Sequence, residues 1–543
     1  MFNSSNKIIL LPLASLIVLS FLSACNQQKV ESERPNIIFI MTDDHSYQTL
    51  SAYDDRFIET PNIDHIADEG VKFVNSFVGN SICAPSRATL LTGKHSHKNG
   101  QINNRVAFDG NQPTFPKYLQ KDGYQTALIG KWHLRSTPTG YDYYDRLIGQ
   151  GDYYNSRFIA NGDTSRSEGY VTNVITDKSI QWMENRDKDR PFSLQIHHKA
   201  THRIWMPDTA MLSSTEEEFT IPNTYPEEYE EEVTADVNKL RGVPKNYFDD
   251  YEGRQAAAAQ KLSIIEDMDL VYDLKMLDEE GDIQTKYRNM YANGRYANFN
   301  DQQKAAWDAY YDPIIEKFKE HRDEMTDTQL ARWKYERYMQ DYLKTVKSVD
   351  KNIGRLINYL KENDLYENTL IVYTSDQGFY MGEHGWFDKR FMYEQSMRTP
   401  LLMKFPENIE TRNKVDELVQ NIDWAPTLLD LAGLPVPEDM QGRSLLPLVQ
   451  NDDVEWREAL YYHYYEYPNE HMVKRHYGIR TDRYKLIHFY NDIDDWELYD
   501  LEQDSMEMNN LYGKEGYEEL TRTLKKKLDE LQQQYEDTDR STY

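Results

Sequence analysis

Cysteine is almost missing from this chain. Two thiols in 543 residues exclude a disulfide-stapled scaffold, a cysteine-type zinc finger and a cysteine-ligated iron–sulfur cluster. Positive charge is also scarce: 62 Lys plus Arg face 91 Asp plus Glu, a formal net charge of −29. A chain of that sign lacks the basic stripe that holds nucleic acid, so no nucleic-acid partner is expected. After the first two dozen residues no apolar run reaches membrane length, and no fixed-period repeat points to a solenoid or propeller. Aromatics are not lacking. At 13%, with 41 Tyr, they exclude a disordered acidic solvating chain and leave a large globular protein of one big α/β core or two to three domains.

The first cysteine reads as an address. Residues 1–24 carry one charge, Lys7, before an apolar run from Ile8 to Leu22 that is too short to span a bilayer and ends in small residues. Leu22-Ser23-Ala24-Cys25 resembles the lipobox of bacterial lipoproteins. The resemblance implies a signal peptide over 1–24, lipidation of Cys25 and a polar tether over 25–34. It also implies an exported lipoprotein, anchored in a membrane at the outer-membrane or periplasmic face of the cell envelope. Without Lys7 the mature chain carries 61 − 91 = −30.

Pro35 opens an unbroken apolar run, Asn36 to Met41, that ends at Thr42-Asp43-Asp44; a second, Thr369 to Tyr373, ends at Thr374-Ser375-Asp376-Gln377-Gly378. Apolar runs without alternation suit parallel strands buried on both faces. Val346, Val349, Ile353, Leu356, Ile357 and Leu360 follow helical spacing with charges between them. Alternation of strand and helix over 35–430 predicts an α/β fold, a mixed or parallel sheet flanked by helices, whose ligands gather beyond the carboxyl ends of the strands. Within the predicted catalytic domain, 35–435, the stretch 210–345 reads as an acidic helical insertion, and its segment 216–232 holds eight Glu and no Lys or Arg. Such a run is a solvated face. Residues 436–543 read as a smaller C-terminal subdomain: short alternating strands such as Tyr484 to Phe489, then a helix from about Tyr517.

The second cysteine carries the chemistry. Cys83-Ala84-Pro85-Ser86-Arg87, followed after three residues by Leu91-Thr92-Gly93, resembles the signature of the type I, formylglycine-dependent sulfatases. Seven specified positions match, with chance odds on the order of one in a million. The resemblance implies that an external maturating (formylglycine-generating) enzyme oxidises Cys83 to formylglycine (3-oxoalanine). The hydrated aldehyde would be the nucleophile: one hydroxyl attacks sulfur, and the other collapses to the carbonyl and expels sulfate, which splits one hard displacement into two easier steps. A hard divalent cation with oxygen ligands would activate the diol and hold the sulfuryl oxygens.

By the same resemblance Asp43, Asp44, Asp376 and Gln377, together with residue 83, are the metal ligands. An oxygen set of this kind suits calcium, one ion, better than zinc. The remaining parts follow in family order: Gly130-Lys131-Trp132-His133, Lys199-Ala200-Thr201-His202-Arg203 and Gly382-Glu383-His384-Gly385-Trp386-Phe387-Asp388-Lys389. The resemblance gives Lys131 and Lys389 the sulfate oxygens, Arg87 the orientation of formylglycine, His202 the protonation of the leaving alcohol and His133 the diol proton whose loss releases sulfate. Thr201 stands where relatives often carry Pro. The family implies the alkaline-phosphatase-like fold, and Asp249–Arg254, Trp333–Tyr335, Asp350–Arg355 and Phe387–Glu394 look closest to the group with N-acetylglucosamine-6-sulfatases.

The expected substrate is a sulfated polysaccharide or oligosaccharide: a glycosaminoglycan bearing N-acetylglucosamine 6-sulfate or, since an acidic surface tolerates salty water, an algal polymer such as ulvan. A local cluster of Lys131, Lys389, Arg87 and Arg390 would reverse the field for such a polyanion. Trp132, Trp205 and Trp386 are open to both sugar stacking and core packing. A phosphodiester or phosphonate hydrolase on the same scaffold and an inactive glycan-binding lipoprotein are the alternatives.

Overall fold

The computed structural model describes residue 1 and residues 34–212, 243–276, 295–451 and 453–538. Cys25, the leader and the glutamate-rich run at 216–232 lie outside the described residues. Chain contacts divide the protein into residues 1–34 and 35–543, and every element below belongs to the second unit.

A ten-stranded mixed sheet forms the middle layer. Its central strands are β1 (Asn36–Thr42), β4 (Gln125–Gly130), β8 (Phe192–His197) and β9 (Thr369–Ser375), in the spatial order β9-β1-β8-β4 and all parallel. On one side β10 (Leu401–Lys404) adds antiparallel to β9 and leads to β2 (Val71–Phe73) and β11 (Lys414–Val415). On the other, β5 (Tyr143–Leu147) is followed by the antiparallel β6 (Arg157–Ala160) and β7 (Asp163–Arg166). The two residues of β3 (Ser76–Phe77) pair separately with β12 (Val419–Gln420).

The unbroken apolar run of β1 has a simple cause: successive side chains of a strand point to opposite faces, and both faces are buried. Ile38 and Ile40 enter one core with Val346, Val349 and Ile353 of the Asp327–Glu362 helix. Ile37, Phe39 and Met41 enter the other with Trp424, Leu428 and Leu429 of the Trp424–Leu431 helix. The Asp327–Glu362 helix begins at a capping box between Thr326 and Gln329, in which each residue satisfies a backbone N–H the helix itself leaves free.

The C-terminal part is a four-stranded antiparallel meander, β13 (Ala459–Tyr464), β14 (His476–Thr481), β15 (Tyr484–Phe489) and β16 (Asp495–Asp500), covered by the Glu518–Gln534 helix through Leu524 and Leu528. Its other face packs on the segment that follows Asp376-Gln377: Leu460, Tyr462, Ile487 and Phe489 share a core with Trp386, Phe391, Met392 and Tyr393. This is the large flanked sheet with a small antiparallel partner that the sequence predicts.

Candidate active site

Strand register builds the site. Thr42 of β1 pairs with Ser375 of β9, so Asp43-Asp44 and Asp376-Gln377 leave the sheet side by side. Met41 pairs with His197 of β8, and Gly130 of β4 pairs with the same residue, which brings the His202 loop and Lys131 to the same edge. Backbone bonds stitch the loops together: Asp43 N–H donates to Ala200 O (3.1 Å), and Thr201 N–H donates to Asp43 O (2.8 Å). The Cys83–Thr92 helix is buried along its whole length and points its N-terminus at this edge, where the helix dipole is positive. Gly93 ends it at φ 64°, a left-handed cap that suits glycine.

Around Cys83 the candidate ligand groups crowd together. Ligand atoms of Asp43, Asp44, Cys83 and Asp376 all lie within 4.8 Å of each other, and the Cys83 thiol donates to Asp43 Oδ1 at 3.2 Å. Gln377 turns its amide nitrogen to Asp44 Oδ1 and to Cys83 Sγ, the latter at 3.7 Å. Arg87 holds Asp376 Oδ2 through Nε (3.0 Å) and a terminal nitrogen (2.8 Å), and its other terminal nitrogen donates to Lys131 O (2.9 Å). Lys131 pairs with Asp43, and Lys389 grips both oxygens of Asp44 at 2.7 Å. Arg390 pairs with Asp388. The cationic cluster expected from the sequence is therefore present but balanced, with four cations on Asp43, Asp44, Asp376 and Asp388.

Electrostatics make that balance unequal. Burial raises the Asp43 carboxyl, but Lys131, aided by His202, Arg87 and Lys389, overcomes it and holds Asp43 well below the usual carboxylate range. Burial pushes Asp44 up to about 6 against the pull of Lys389. Burial and the charge of Asp43 push Asp376 up to about 7. Three carboxyls this close resist ionising together, and a divalent cation would relieve the conflict. The donor set fits calcium on two further counts: every side chain but Cys83 offers hard oxygen, and Gln377 Oε1 is buried without a hydrogen-bond partner.

His202 reaches Asp44 Oδ2 at 3.8 Å with Nε2 while Nδ1 contacts Arg203 O at 2.7 Å, and its side chain stays 17% exposed, so a substrate can meet it. Burial, with Lys131 and Lys389 adding to it, pushes the imidazole well below its ordinary pKa against Asp43. His133 is pushed down by burial and then Lys131; its backbone lies at φ 57° and Nδ1 is buried without a partner. His384 binds Asp249 at 2.8 Å and belongs to the support of the site. Trp132, Trp205 and Trp386 are buried and pack rather than face a sugar.

Three contributors escaped the sequence reading. His197 caps Lys131 O through Nδ1 at 3.1 Å. The Tyr342 hydroxyl donates to Asp44 O (2.7 Å) and accepts from Ser46 N–H (2.9 Å). Thr201, noticed only as a departure, donates its hydroxyl to Asp44 O at 2.8 Å. Neither His197 nor Tyr342 lies in a motif, and Tyr342 arrives from 298 residues away.

Comparison with known proteins decides the family. The profile described as Sulfatase matches residues 35–434, and one described as N-sulphoglucosamine sulphohydrolase, C-terminal, matches 382–534. The chain belongs to the sulfatase family. This sulfatase, a sulfuric ester hydrolase with the alkaline-phosphatase-like fold, is 47% identical over 544 residues to an N-acetylglucosamine-6-O-sulfatase of Bacteroides thetaiotaomicron, covering 99% of this chain and 92% of the relative. A solved structure in complex with its substrate D-glucosamine-2-N,6-O-disulfate superposes with a TM-score of 0.85 at 47% identity, covering 93% of this chain and 99% of that one. An ulvan-active sulfatase of Formosa agariphila is more distant, 24% identical over 97% of this chain and 88% of its own.

Proposed function

We propose that this sulfatase is an exported lipoprotein, lipidated at Cys25, that removes the 6-O-sulfate from glucosamine residues of a sulfated carbohydrate. It would use one calcium ion and formylglycine at position 83, installed by a maturating enzyme. The observation that carries the reading is the buried placement of Cys83 at a helix N-terminus, 3.2 Å from Asp43, inside an oxygen-donor cluster, in a chain 47% identical to a 6-O-sulfatase. The 24% identity of the ulvan-active relative gives the algal substrate weaker support.

Calcium would be held by Asp43, Asp44, Asp376, Gln377 and residue 83; with the aldehyde it supplies an activated oxygen nucleophile and charge for the sulfuryl oxygens. The side chains supply the rest. Arg87 fixes the Asp376 carboxylate and the Lys131 carbonyl at once, so the helix carrying residue 83 cannot turn away from the strand ends. Lys131 and Lys389, pre-organised on Asp43 and Asp44, are set to share their donors with the sulfate oxygens where charge develops. His202 protonates the departing sugar oxygen. Its low pKa makes it a strong acid once charged, and the negative sulfate ester entering beside it favours the charged form. His133, kept neutral by burial and Lys131, takes a proton as sulfate is released.

Two measurements test the reading. The tryptic peptide Phe73–Arg87 from native-host protein should be lighter by about 18 Da than its cysteine form, as the aldehyde nucleophile requires; unmodified cysteine throughout would refute the mechanism. Sulfate release should be fastest from 6-sulfated glucosamine, and faster release from ulvan oligosaccharides, or phosphodiester turnover above sulfate-ester turnover, would overturn the substrate.

A further inference from the structure

We propose that Lys199 and Arg295 form a second anion-binding pocket beside His202, which takes a charged substituent of the sugar other than the ester being cleaved: a second sulfate on the same ring, or the carboxylate of a neighbouring uronate. The inference rests on the reading above and extends it to what surrounds the 6-sulfate.

Lys199 is buried, 4% exposed. Lys131, Lys275, Lys389 and Lys485, equally buried, each hold a carboxylate. Lys199 has neither an ion pair nor a hydrogen-bond acceptor for its ammonium among the described residues; the Tyr153 ring lies 5.0 Å from it. An unpaired buried ammonium is costly, and burial, with Lys131 and Arg295 adding to it, lowers this one to about 7. Arg295 is the second cation. One terminal nitrogen donates to the Tyr272 hydroxyl at 2.9 Å and the guanidinium lies 4.6 Å from that ring, but the other terminal nitrogen is buried with no partner. Of the carboxylates that act on Lys199, Asp43 is already held by Lys131, and Asp152 accepts from Asn298 at 3.2 Å. A bound anion would use the free donors of both cations.

The place of the pocket assigns its ligand to the sugar side. Tyr153 sits between the two sites: its ring lies against the Lys199 ammonium, and its hydroxyl donates to His202 O at 2.6 Å. His202 N–H closes a turn on Lys199 O at 3.1 Å. The group that receives the proton of His202 is the sugar oxygen, so a substituent of that sugar or its neighbour comes closest to Lys199.

The test compares three substrates: glucosamine 6-sulfate, glucosamine 2-N,6-O-disulfate, and a disaccharide in which a uronate is joined to 6-sulfated glucosamine. The readout is kcat/KM on each doubly charged substrate divided by that on the monosulfate. We expect a wild-type ratio of tenfold or more for one of them, which identifies the anion. The ratio should fall at least fivefold, through KM, in Lys199→Met and in Arg295→Met, and Lys199→Arg should restore most of it. A wild-type ratio near one, or ratios unchanged in both Met variants, overturns the pocket. So does an equal loss on all three substrates, which would give Lys199 to the scissile sulfate. If wild type cleaves none of the three, the 6-O-sulfatase reading itself fails.

Discussion

His202 shows how a single side chain is specified by what surrounds it. Its Nδ1 contact with Arg203 O leaves Nε2 free to serve the leaving oxygen, since the two ring nitrogens divide the roles of donor and acceptor. Arg203 is itself locked on Asp273 by bonds of 2.6 and 2.8 Å, so the loop cannot swing with its solvent-facing edge. If His202 donates the proton, the benefit should depend on how much the leaving group needs it. His202→Ala should lower kcat/KM on glucosamine 6-sulfate by roughly 10²–10⁴-fold. On an aryl sulfate, whose phenolate departs unaided, the loss should stay under about tenfold by the same Brønsted argument. Equal losses on both esters would remove His202 from the leaving-group step.

At the scale of elements, the site is an alignment of strand ends, and Gly130 is where that alignment is tightest. It lies at φ +108°, and a Cβ there would come within 2.0 Å of the His197 carbonyl. Gly130→Ala should therefore push β4 away from β8, destabilise the fold by at least about 2 kcal/mol, and move Lys131 off Asp43. Thermal unfolding together with sulfate release checks this; an unshifted melting temperature would show that the strand pair yields without strain. The same scale explains what the sequence could reveal. Continuous apolar runs ending in Asp-Asp and Asp-Gln marked β1 and β9 as buried strands with carboxylates at one edge, because burial on both faces leaves that pattern in one dimension. Spacing in the Cys83 signature marked the proposed nucleophile for a similar reason, as its parts share one helix. Nothing local fixes that Thr42 faces Ser375, or that His197 lies between β1 and β4. Nor does a Tyr in a long helix announce that its hydroxyl binds Asp44 O; such contacts are made by tertiary packing, which overrides local preference.

Across the whole molecule, the segment that follows Asp376-Gln377 is held between the large sheet and the C-terminal meander, so the meander's stability bears on the site. Tyr393 lies in that shared core and donates to Glu497 Oε2 at 2.8 Å; the Tyr499 hydroxyl donates to the same oxygen at 2.9 Å. Glu497 Oε1 is buried without a partner. Burial raises this carboxyl to about 7 despite the two hydroxyls. In the unfolded chain it would lose its proton near the ordinary glutamate value, about 4.3. Between those two pH values the folded state binds more protons than the unfolded state, so stability falls as pH rises through the window, and the full penalty stands above about 7. At about 1.4 kcal/mol per pKa unit the penalty is on the order of 3 kcal/mol. Glu507, raised by burial to about 7 beside Lys485, adds a slope of the same sign. Glu497→Gln keeps the shape and removes the charge, so its melting temperature should fall less than that of wild type between pH 5 and pH 8, with the Glu507 contribution left in place. Parallel pH curves for the two proteins would mean that Glu497 is not the group that takes up the proton. A variant more stable than wild type at pH 8 but not at pH 5 would identify this buried carboxyl as a source of the meander's alkaline weakness.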